Sequence, residues 1–558
     1  MAQPYDVRAI EATWRARWDE DGTGSVDLDA VAADDVFYNL VEFPYPSAEG
    51  LHVGHVYRYG GVDTYGRYLR MRGRHVFQPI GFDAFGIHTE NYALKVGEHP
   101  RPLTARTTAR FREQLDRMGL AWDWSRAIDT SDPSYYRWTQ WLLTRLFDAG
   151  LMFQAEAPVV WCPSCMTVLA REQTEHDGTA CERCGTRVAE RVMTQWFLRI
   201  TAYADRLHDG LADLDWPERA KRLQRQWIGR GEHGTIRLHD WLISRQRYWG
   251  PPIPIVHCEE CGPVAVPDAD LPVVLPDVVD IRPTGTGMSP LAAAEEWVRT
   301  TCPRCGGPAR RETDVGDTFV DSSWYFLRYP STEFDDRPWD VERTGRVLPV
   351  DFYAGGVEHV QRHHLYARFV TMALHDVGLV PFEEPFPRVR LGGLIAKDGA
   401  KMSKSRGNVV TPDDYIDRHG ADALRCALLF SAPWDQGGEF RDDAIVGIER
   451  FFARAWRAVT GPDDELAGTF DLSATSDAVA AAIERLSFNV AIARLMEAVR
   501  RVADAQSKRV FVRLVAPFAP HLAEELWHQL GEPFSVHSQR WPSDADSCSG
   551  RPPPSAEV

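Results

Sequence analysis

Two histidines separated by Val-Gly, in the stretch Phe43-Pro-Tyr-Pro-Ser-Ala-Glu-Gly-Leu-His-Val-Gly-His55, are the residues of this 558-residue sequence whose spacing first suggests chemistry. At a helix start, positions 52 and 55 are about one turn apart, so His52 and His55 share a face. Each imidazole can then donate a hydrogen bond to a phosphate oxygen as charge builds there during nucleotidyl transfer. Gly50 and Gly54 permit a tight backbone, and the N–H groups at the positive end of the following helix favour an anion. Far downstream, Lys401-Met-Ser-Lys-Ser405 lies in a loop bounded by glycine and asparagine. Two lysines on such a loop suit a triphosphate, so the two stretches together predict a nucleotide gripped from both sides.

Eight of the ten cysteines fall in four Cys-x-x-Cys pairs. Cys162, Cys165, Cys181 and Cys184 form one set, with 15 residues between its knuckles; Cys258, Cys261, Cys302 and Cys305 form a second, with 40. Two knuckles supply the four thiolates of a tetrahedral Zn²⁺ site, and the first set has zinc-ribbon spacing. The competing readings are disulfides, disfavoured in a chain without an export signal, and knuckles that have lost their metal. Cys426 reads as a small buried residue and Cys548 as an inert thiol.

The balance of 63 Lys+Arg against 80 Asp+Glu gives a net charge of −17. That argues against a nonspecific nucleic-acid binder, though not against a local basic track for one RNA. Residues 1–20 are charged throughout, with Val7, Ile10, Trp14 and Trp18 at helical spacing, and no apolar run reaches the roughly 18 residues a membrane span needs. A soluble, cytoplasmic protein with no membrane partner is expected. Its length predicts two to four domains at about 150 residues each.

The elements that must position the chemistry are those of an α/β fold. Val36-Phe-Tyr-Asn-Leu-Val41 is β-branched and aromatic, as a central strand should be. The segment 74–86 gives a second strand running into a loop that carries Asp83. In an open parallel sheet, ligands sit at the carboxyl ends of the strands, which would let Asp83 hold a cation such as an α-ammonium; it could equally cap a helix. Residues 103–120 and 133–149 read as amphipathic helices, with Trp138, Trp141, Leu142 and Phe147 toward the core. From about 441 to 530 the pattern is helical: Ile445, Ile448, Phe452 and Trp456, then Ile483, Leu486, Val490, Leu495 and Val499, recur at three and four. Pro517 and Pro520 interrupt it before a last helix around 524–530.

His52-Val-Gly-His55 and Lys401-Met-Ser-Lys-Ser405 resemble the HIGH and KMSKS signatures of class I aminoacyl-tRNA synthetases, the first departing only at its second letter. Phe43-Pro-Tyr-Pro-Ser47, Asp83-Ala-Phe-Gly86, Asp240-Trp-Leu-Ile-Ser-Arg-Gln-Arg-Tyr-Trp249, Asp317-Thr-Phe-Val-Asp-Ser-Ser-Trp-Tyr325 and Leu365-Tyr-Ala-Arg-Phe369 resemble the leucyl-tRNA synthetase family more specifically. The resemblance runs from about residue 5 to residue 542. It implies a Rossmann-like catalytic domain with zinc-ribbon insertions, followed by an α-helical bundle. The implied divisions are the first half of the catalytic domain over 1–150, a zinc ribbon over 151–193, a stem with the second cysteine set over 194–345, the second catalytic half over 346–435, the bundle over 436–542, and a disordered tail over 543–558.

The resemblance also implies the reaction: ATP and leucine give leucyl-adenylate, with Mg²⁺ assisting, and the leucyl group passes to tRNA(Leu). His52 and His55 would stabilise the α-phosphate transition state, and Lys401 and Lys404 the departing pyrophosphate. Gly54, Gly355 and Gly356 would let ATP approach the backbone, with Glu358 accepting from ribose hydroxyls. Phe43, Tyr45, Ser322, Tyr325, Tyr353 and His363 would meet the leucine side chain, and Asp83 would take the ammonium. Zn²⁺ would occupy both cysteine sets. A monomer is expected.

Four departures from the family matter. Only Gly231 to His239, nine residues, stand where the family inserts a domain that hydrolyses mischarged tRNA, so no editing activity of that kind is expected. A hydrophobic pocket separates substrates differing by one methylene by only ~1–3 kcal/mol, which leaves discrimination to the synthetic site. With Ser543 to Val558 reading as a short tail, no counterpart of the family's small C-terminal domain is expected, and the small leucine-specific insertion that some bacterial members carry before the lysine loop is also missing. Lastly, Gln361-Arg-His-His364 replaces a mostly apolar run; Arg362 and His364 are expected to face solvent. The alternative function is a specialised paralogue that activates leucine or an analogue for a biosynthetic pathway, or confers resistance to an inhibitor.

Overall fold

The computed structural model describes residues 6–47, 50–175, 178–231, 235–278, 280–402, 407–463 and 471–542. Helix α1 (Val7–Asp21) opens it, capped by Asp6. Strand β1 (Val36–Val41) is buried along its whole length, as its β-branched and aromatic composition requires. Helix α2 (Val53–Met71) follows, and strand β2 (His75–Phe77) returns beside β1. The second half of the chain supplies β3 (Phe352–Gly355), helix α3 (His363–Asp376) and β4 (Val389–Leu391). The sheet runs in the order β4-β3-β1-β2, all parallel, with Val41 opposite Ala354 and Tyr353 opposite Val389. Segments more than three hundred residues apart in sequence thus become neighbours, and the carboxyl ends of β1 and β3 open on one side. That crevice is where a doubly wound sheet binds its ligand.

Between the halves, the strand Met152–Cys162 pairs antiparallel with Ala189–Leu198, from Met152 opposite Leu198 to Trp161 opposite Ala189, and Trp241–Leu242 extends the same sheet. The first cysteine ribbon and the stem therefore share a sheet that crosses position 193. The second cysteine set is mounted on its own four-stranded antiparallel sheet, Ile255–Cys258, Gly262–Ala265, Arg299–Thr301 and Pro308–Arg311.

Helices Asp442–Thr460, Ser473–Glu484, Phe488–Ala498, Ala505–Val515 and Pro520–Gln529 form the bundle. Ile445, Ile448, Phe452, Trp456, Ile483, Leu495 and Val499 are buried as their spacing predicts. Two positions differ. Val490 is 44% exposed, and Leu486 has φ 55° in the turn between two helices, which breaks the period. The last helix begins earlier than expected, because Pro520 occupies its first turn, where a missing N–H costs nothing.

A buried charge network joins α2 to Arg425, whose Nη2 also reaches Pro517 O of the bundle at 3.4 Å. Asp63 on α2 accepts from Arg67 Nε at 2.8 Å, Arg425 Nη2 at 2.6 Å and the Ala121 N–H at 2.8 Å. Burial alone would push its carboxyl up, but the two guanidinium groups hold it well below the usual range. Cys426, next to Arg425, is buried as expected, whereas Cys548 and the 543–558 tail lie outside the described residues. Among the described residues no helix is long and apolar enough to cross a membrane.

Candidate active site

The turn after β1 is held by the histidines themselves. His52 caps α2, its Nδ1 accepting from the Gly54 N–H at 3.1 Å, and His55 Nδ1 accepts from the His52 N–H at 3.2 Å. An imidazole whose Nδ1 accepts carries its proton on Nε2. Both rings, with centroids 4.0 Å apart, are thereby set as donors at a helix N-terminus. A side chain at Gly54 would collide with the His52 ring at 2.8 Å, so this glycine is needed by the cap itself.

A cavity of about 230 Å³ opens in front of them. Its wall is His52, Gly54, His55, Arg58 and Tyr59 of α2, Glu42 to Tyr45 after β1, Glu358 and His359 after β3, and Gly393, Leu394, Ile395 and Met402. The last four flank the lysine loop, and the Val53 N–H donates to Val410 O at 3.0 Å beyond it. The two chemistry-bearing stretches therefore meet at one cavity. The backbone of Lys401 pairs with Ala396, but its side chain, Lys404 and the rest of 403–406 lie outside the described residues.

Glu42, Arg58 and His359 line this cavity without having been picked out from the sequence. Glu42 pairs with Arg58, accepts from the Gly356 N–H at 2.8 Å, and lies 3.6 Å from His359 Nε2. Arg58, one turn beyond His55, also lies 3.9 Å from Glu358. A side chain at Gly355 would meet Tyr353, His364 and Glu42, and one at Gly356 would meet the Glu358 carboxylate at 2.5 Å. Gly355 is thus required by the protein's own packing, whereas the Glu358 side chain can swing away from Gly356.

The residues expected around leucine lie at the cavity and behind it. The Phe43 ring stacks on Tyr325 with centroids 4.1 Å apart, Tyr325 Oη donates to Tyr353 Oη at 3.2 Å, and the His363 ring lies 5.7 Å from Tyr325 and 5.8 Å from Tyr353. Tyr45 lies beside His359. Asp83 is fully buried; its N–H donates to Pro44 O at 3.0 Å, and its Oδ1 accepts from Thr318 Oγ1 at 3.2 Å and Thr130 Oγ1 at 3.4 Å. It caps no helix, since Gly86 stands before Ile87–Val96. Asp83 Oδ2 and Ser322 Oγ are buried with no hydrogen-bond partner. Burial pushes the Asp83 carboxyl well above its usual range, against the two threonine bonds. A buried carboxylate oxygen left open in this way suits a cation brought by a ligand.

Arg362 and His364 do not face solvent as expected. Arg362 pairs with Glu182 of the first ribbon, and His364 is fully buried, with neither ring nitrogen hydrogen-bonded, against Tyr353, Trp216 and Phe386. The causes differ: Arg362 stands at the N-cap of α3 and is drawn to the Glu182 carboxylate, whereas His364 lies in the first turn of a helix that is buried from His363 to Leu374. Burial pushes His363, His364 and, in the bundle, His537 well below the ordinary imidazole value. In the unfolded chain these histidines protonate near pH 6.5, while the folded protein resists the proton. Stability is then full above pH 6.5 and falls as the pH drops below it, by up to about 1.4 kcal/mol per pH unit for each group. Urea unfolding followed between pH 7.5 and 5 is expected to show that loss, with a shallower slope and higher stability at neutral pH in His364→Leu.

Both cysteine sets fit zinc. A tetrahedron with bonds of about 2.3 Å places its sulfurs about 3.8 Å apart. The Sγ pairs Cys162–Cys184, Cys165–Cys184 and Cys165–Cys181 stand at 3.5, 3.7 and 3.9 Å, and Cys258–Cys305 at 3.6 Å; the four ligand atoms of each set, with Cys261 and Cys302 completing the second, lie within 4.8 Å of one another. The Cys165 N–H donates to Cys162 Sγ at 3.3 Å, the backbone support a thiolate needs.

Comparison with known proteins fits this geometry. Residues 13–439 match the family of tRNA synthetases class I (I, L, M and V), and residues 471–552 match the anticodon-binding domain of tRNA ligase. The chain belongs to the class I tRNA synthetases. It is 37% identical to the leucine–tRNA ligase of Rubrobacter xylanophilus over 739 positions, covering 97% of this chain and 90% of that one. Its place within the class is the leucine–tRNA ligase family. A crystal structure of the Agrobacterium radiobacter K84 agnB2 LeuRS, a ternary complex with tRNA and LeuAMS, superposes with a TM-score of 0.90 at 31% identity, covering 97% of this chain and 90% of that chain. Mycobacterium tuberculosis methionyl-tRNA synthetase in complex with methionyl-adenylate shares the fold, with a TM-score of 0.66 at 20% identity over 90% of this chain and 95% of that chain.

Proposed function

We propose that this protein joins leucine to ATP as leucyl-adenylate, transfers the leucyl group to tRNA(Leu), and lacks hydrolytic editing of its own. The observation that carries the first step is that the His52/His55 turn shares one cavity with Met402 and with Gly393–Ile395, which lead into the lysine loop, while the Val53 N–H is bonded to Val410 O on the loop's far side. ATP lies there, with its α-phosphate at the His52 and His55 Nε2 donors and its β- and γ-phosphates toward Lys401 and Lys404. Mg²⁺ entering with ATP would supply further charge neutralisation. Glu358 accepts from the ribose, Gly355 and Gly356 pass the adenosine, and Asp83 receives the leucine ammonium while Phe43, Tyr45, Ser322, Tyr325, Tyr353 and His363 surround its side chain. Held so, the leucine carboxylate faces the α-phosphate, and positioning does most of the work. The family of the chain, its bundle and the tRNA-bound structural relative support the second step.

Loss of editing is supported by the closure of the stem. Arg237 and Leu238 N–H groups donate to Ile228 O at 3.2 and 3.1 Å, and the Gly231 N–H to Thr235 O at 2.7 Å, so the described residues on the two sides of this segment are pinned to each other. The 739-position alignment to the Rubrobacter enzyme exceeds the 558 residues here, so a long stretch of that relative faces nothing in this chain.

Pyrophosphate exchange with each aliphatic amino acid, followed by charging of total tRNA, tests the proposal. Leucine-dependent exchange, charging of tRNA(Leu) and no hydrolysis of isoleucyl-tRNA(Leu) are expected. Exchange without charging would favour a pathway enzyme, and no exchange would refute the assignment. A second reading, activation of a more polar leucine analogue, draws on the unpaired buried nitrogens of His364 beside Tyr353. Exchange stimulated more by a side-chain-hydroxylated leucine than by leucine would favour it.

A further inference from the structure

The first cysteine ribbon reaches the active site at one turn. Glu182, between ligands Cys181 and Cys184, pairs with Arg362, and their side chains are only 13% and 26% exposed. The Arg362 N–H donates to His359 O at 3.2 Å, and Arg362 O accepts from the Tyr366 N–H at 2.9 Å at the start of α3. Arg362 thus stands between His359, which lines the cavity, and His363 among the amino-acid residues, two rings 6.2 Å apart. At the other end the knuckle is tied down: the Glu182 N–H donates to Gln173 O at 3.2 Å, and Gln173 Nε2 reaches Asp317 Oδ1 at 3.4 Å. Asp317 in turn accepts from Arg245 at 2.8 Å.

We propose that Glu182 and Arg362 form a clasp by which the ribbon fixes the turn bearing His359 and His363, making both positioning residues for amino-acid binding. The inference rests on the site assignment above. A knuckle held by four thiolates around zinc is stiff, so an ion pair built on it transmits that stiffness to the turn. Without the pair, the turn and the knuckle each gain freedom, and the pocket must be ordered again when the amino acid enters.

The test uses the full, zinc-loaded chain. In pyrophosphate exchange, Arg362→Glu and Glu182→Arg are each expected to raise KM for leucine about tenfold with KM for ATP unchanged, and the reversed pair to recover most of the loss. Losses that simply multiply in the reversed pair would overturn the clasp. An independent readout is zinc release to a chromogenic chelator, taking the phase that Cys184→Ser abolishes. Glu182→Gln, the least disruptive change, is expected to release it about tenfold faster than wild type, and Arg362→Lys to stay near the wild-type rate. Equal rates in wild type and Glu182→Gln would overturn the clasp. Absence of leucine-dependent exchange in the wild type would instead sink the activity assignment, leaving the chelation rates to decide the clasp.

Discussion

With His55 replaced by Ala, leucine-dependent pyrophosphate exchange is expected to fall in kcat by about 10²–10³, with KM for leucine nearly unchanged. The reason is local. The His55 ring is locked by its bond from the His52 N–H, so its Nε2 donor needs no reorganisation when charge develops on the α-phosphate. A fixed donor of that kind is worth roughly 3–4 kcal/mol in the transition state and little in the ground state. Lys404→Ala is expected to lose a comparable factor at the pyrophosphate. The two together should lose less than the product, because each acts on one delocalised negative charge. Stopped-flow measurement of adenylate formation separates these losses from slow product release. A His55→Ala enzyme as fast as wild type would remove the turn from the chemistry.

Asp83→Asn should act on binding instead. The carboxylate is fully buried with one oxygen unpaired, and leaving a buried ammonium without its charge partner costs about 3–5 kcal/mol. KM for leucine is expected to rise at least 100-fold, with KM for ATP within a few-fold of wild type. Burial raises the carboxyl of the free enzyme above its usual range, so at low pH a proton competes with the ammonium. KM for leucine should therefore rise as the pH falls in the wild type and lose that dependence in Asp83→Asn. A pH-independent KM in the wild type would place the ammonium elsewhere.

What could be read from the sequence follows how locally each feature is determined. The phosphate turn is a strand, a glycine-bearing turn and a helix cap in consecutive residues, so His52 and His55 are legible as a pair. The cysteine knuckles are legible because a tetrahedron demands two thiolates on each tight turn. Glu42 and His359 are different: they meet only because β1 and β3 pair in parallel with Val41 opposite Ala354, and no spacing in the chain encodes that register. Arg58 left a usable trace, lying one helical turn beyond His55 on the same face. His364 has polar neighbours in the chain and so reads as surface, whereas the first turn of α3 places it against Trp216 and Tyr353. Val490 fits the helical period and is exposed because the turn at Leu486 resets the helix phase.

The meeting of two distant stretches around one triphosphate is tested most directly by a crystal structure with the non-hydrolysable adenylate leucyl-sulfamoyl-adenosine and pyrophosphate. The sulfamoyl group is predicted within about 3.2 Å of the His52 or His55 Nε2, the pyrophosphate against Lys401 and Lys404, and the leucyl ammonium on Asp83 Oδ2. Density for the ligand in the neighbouring cleft lined by Arg219, Arg390, Trp434 and Arg485, with both histidines untouched, would contradict it.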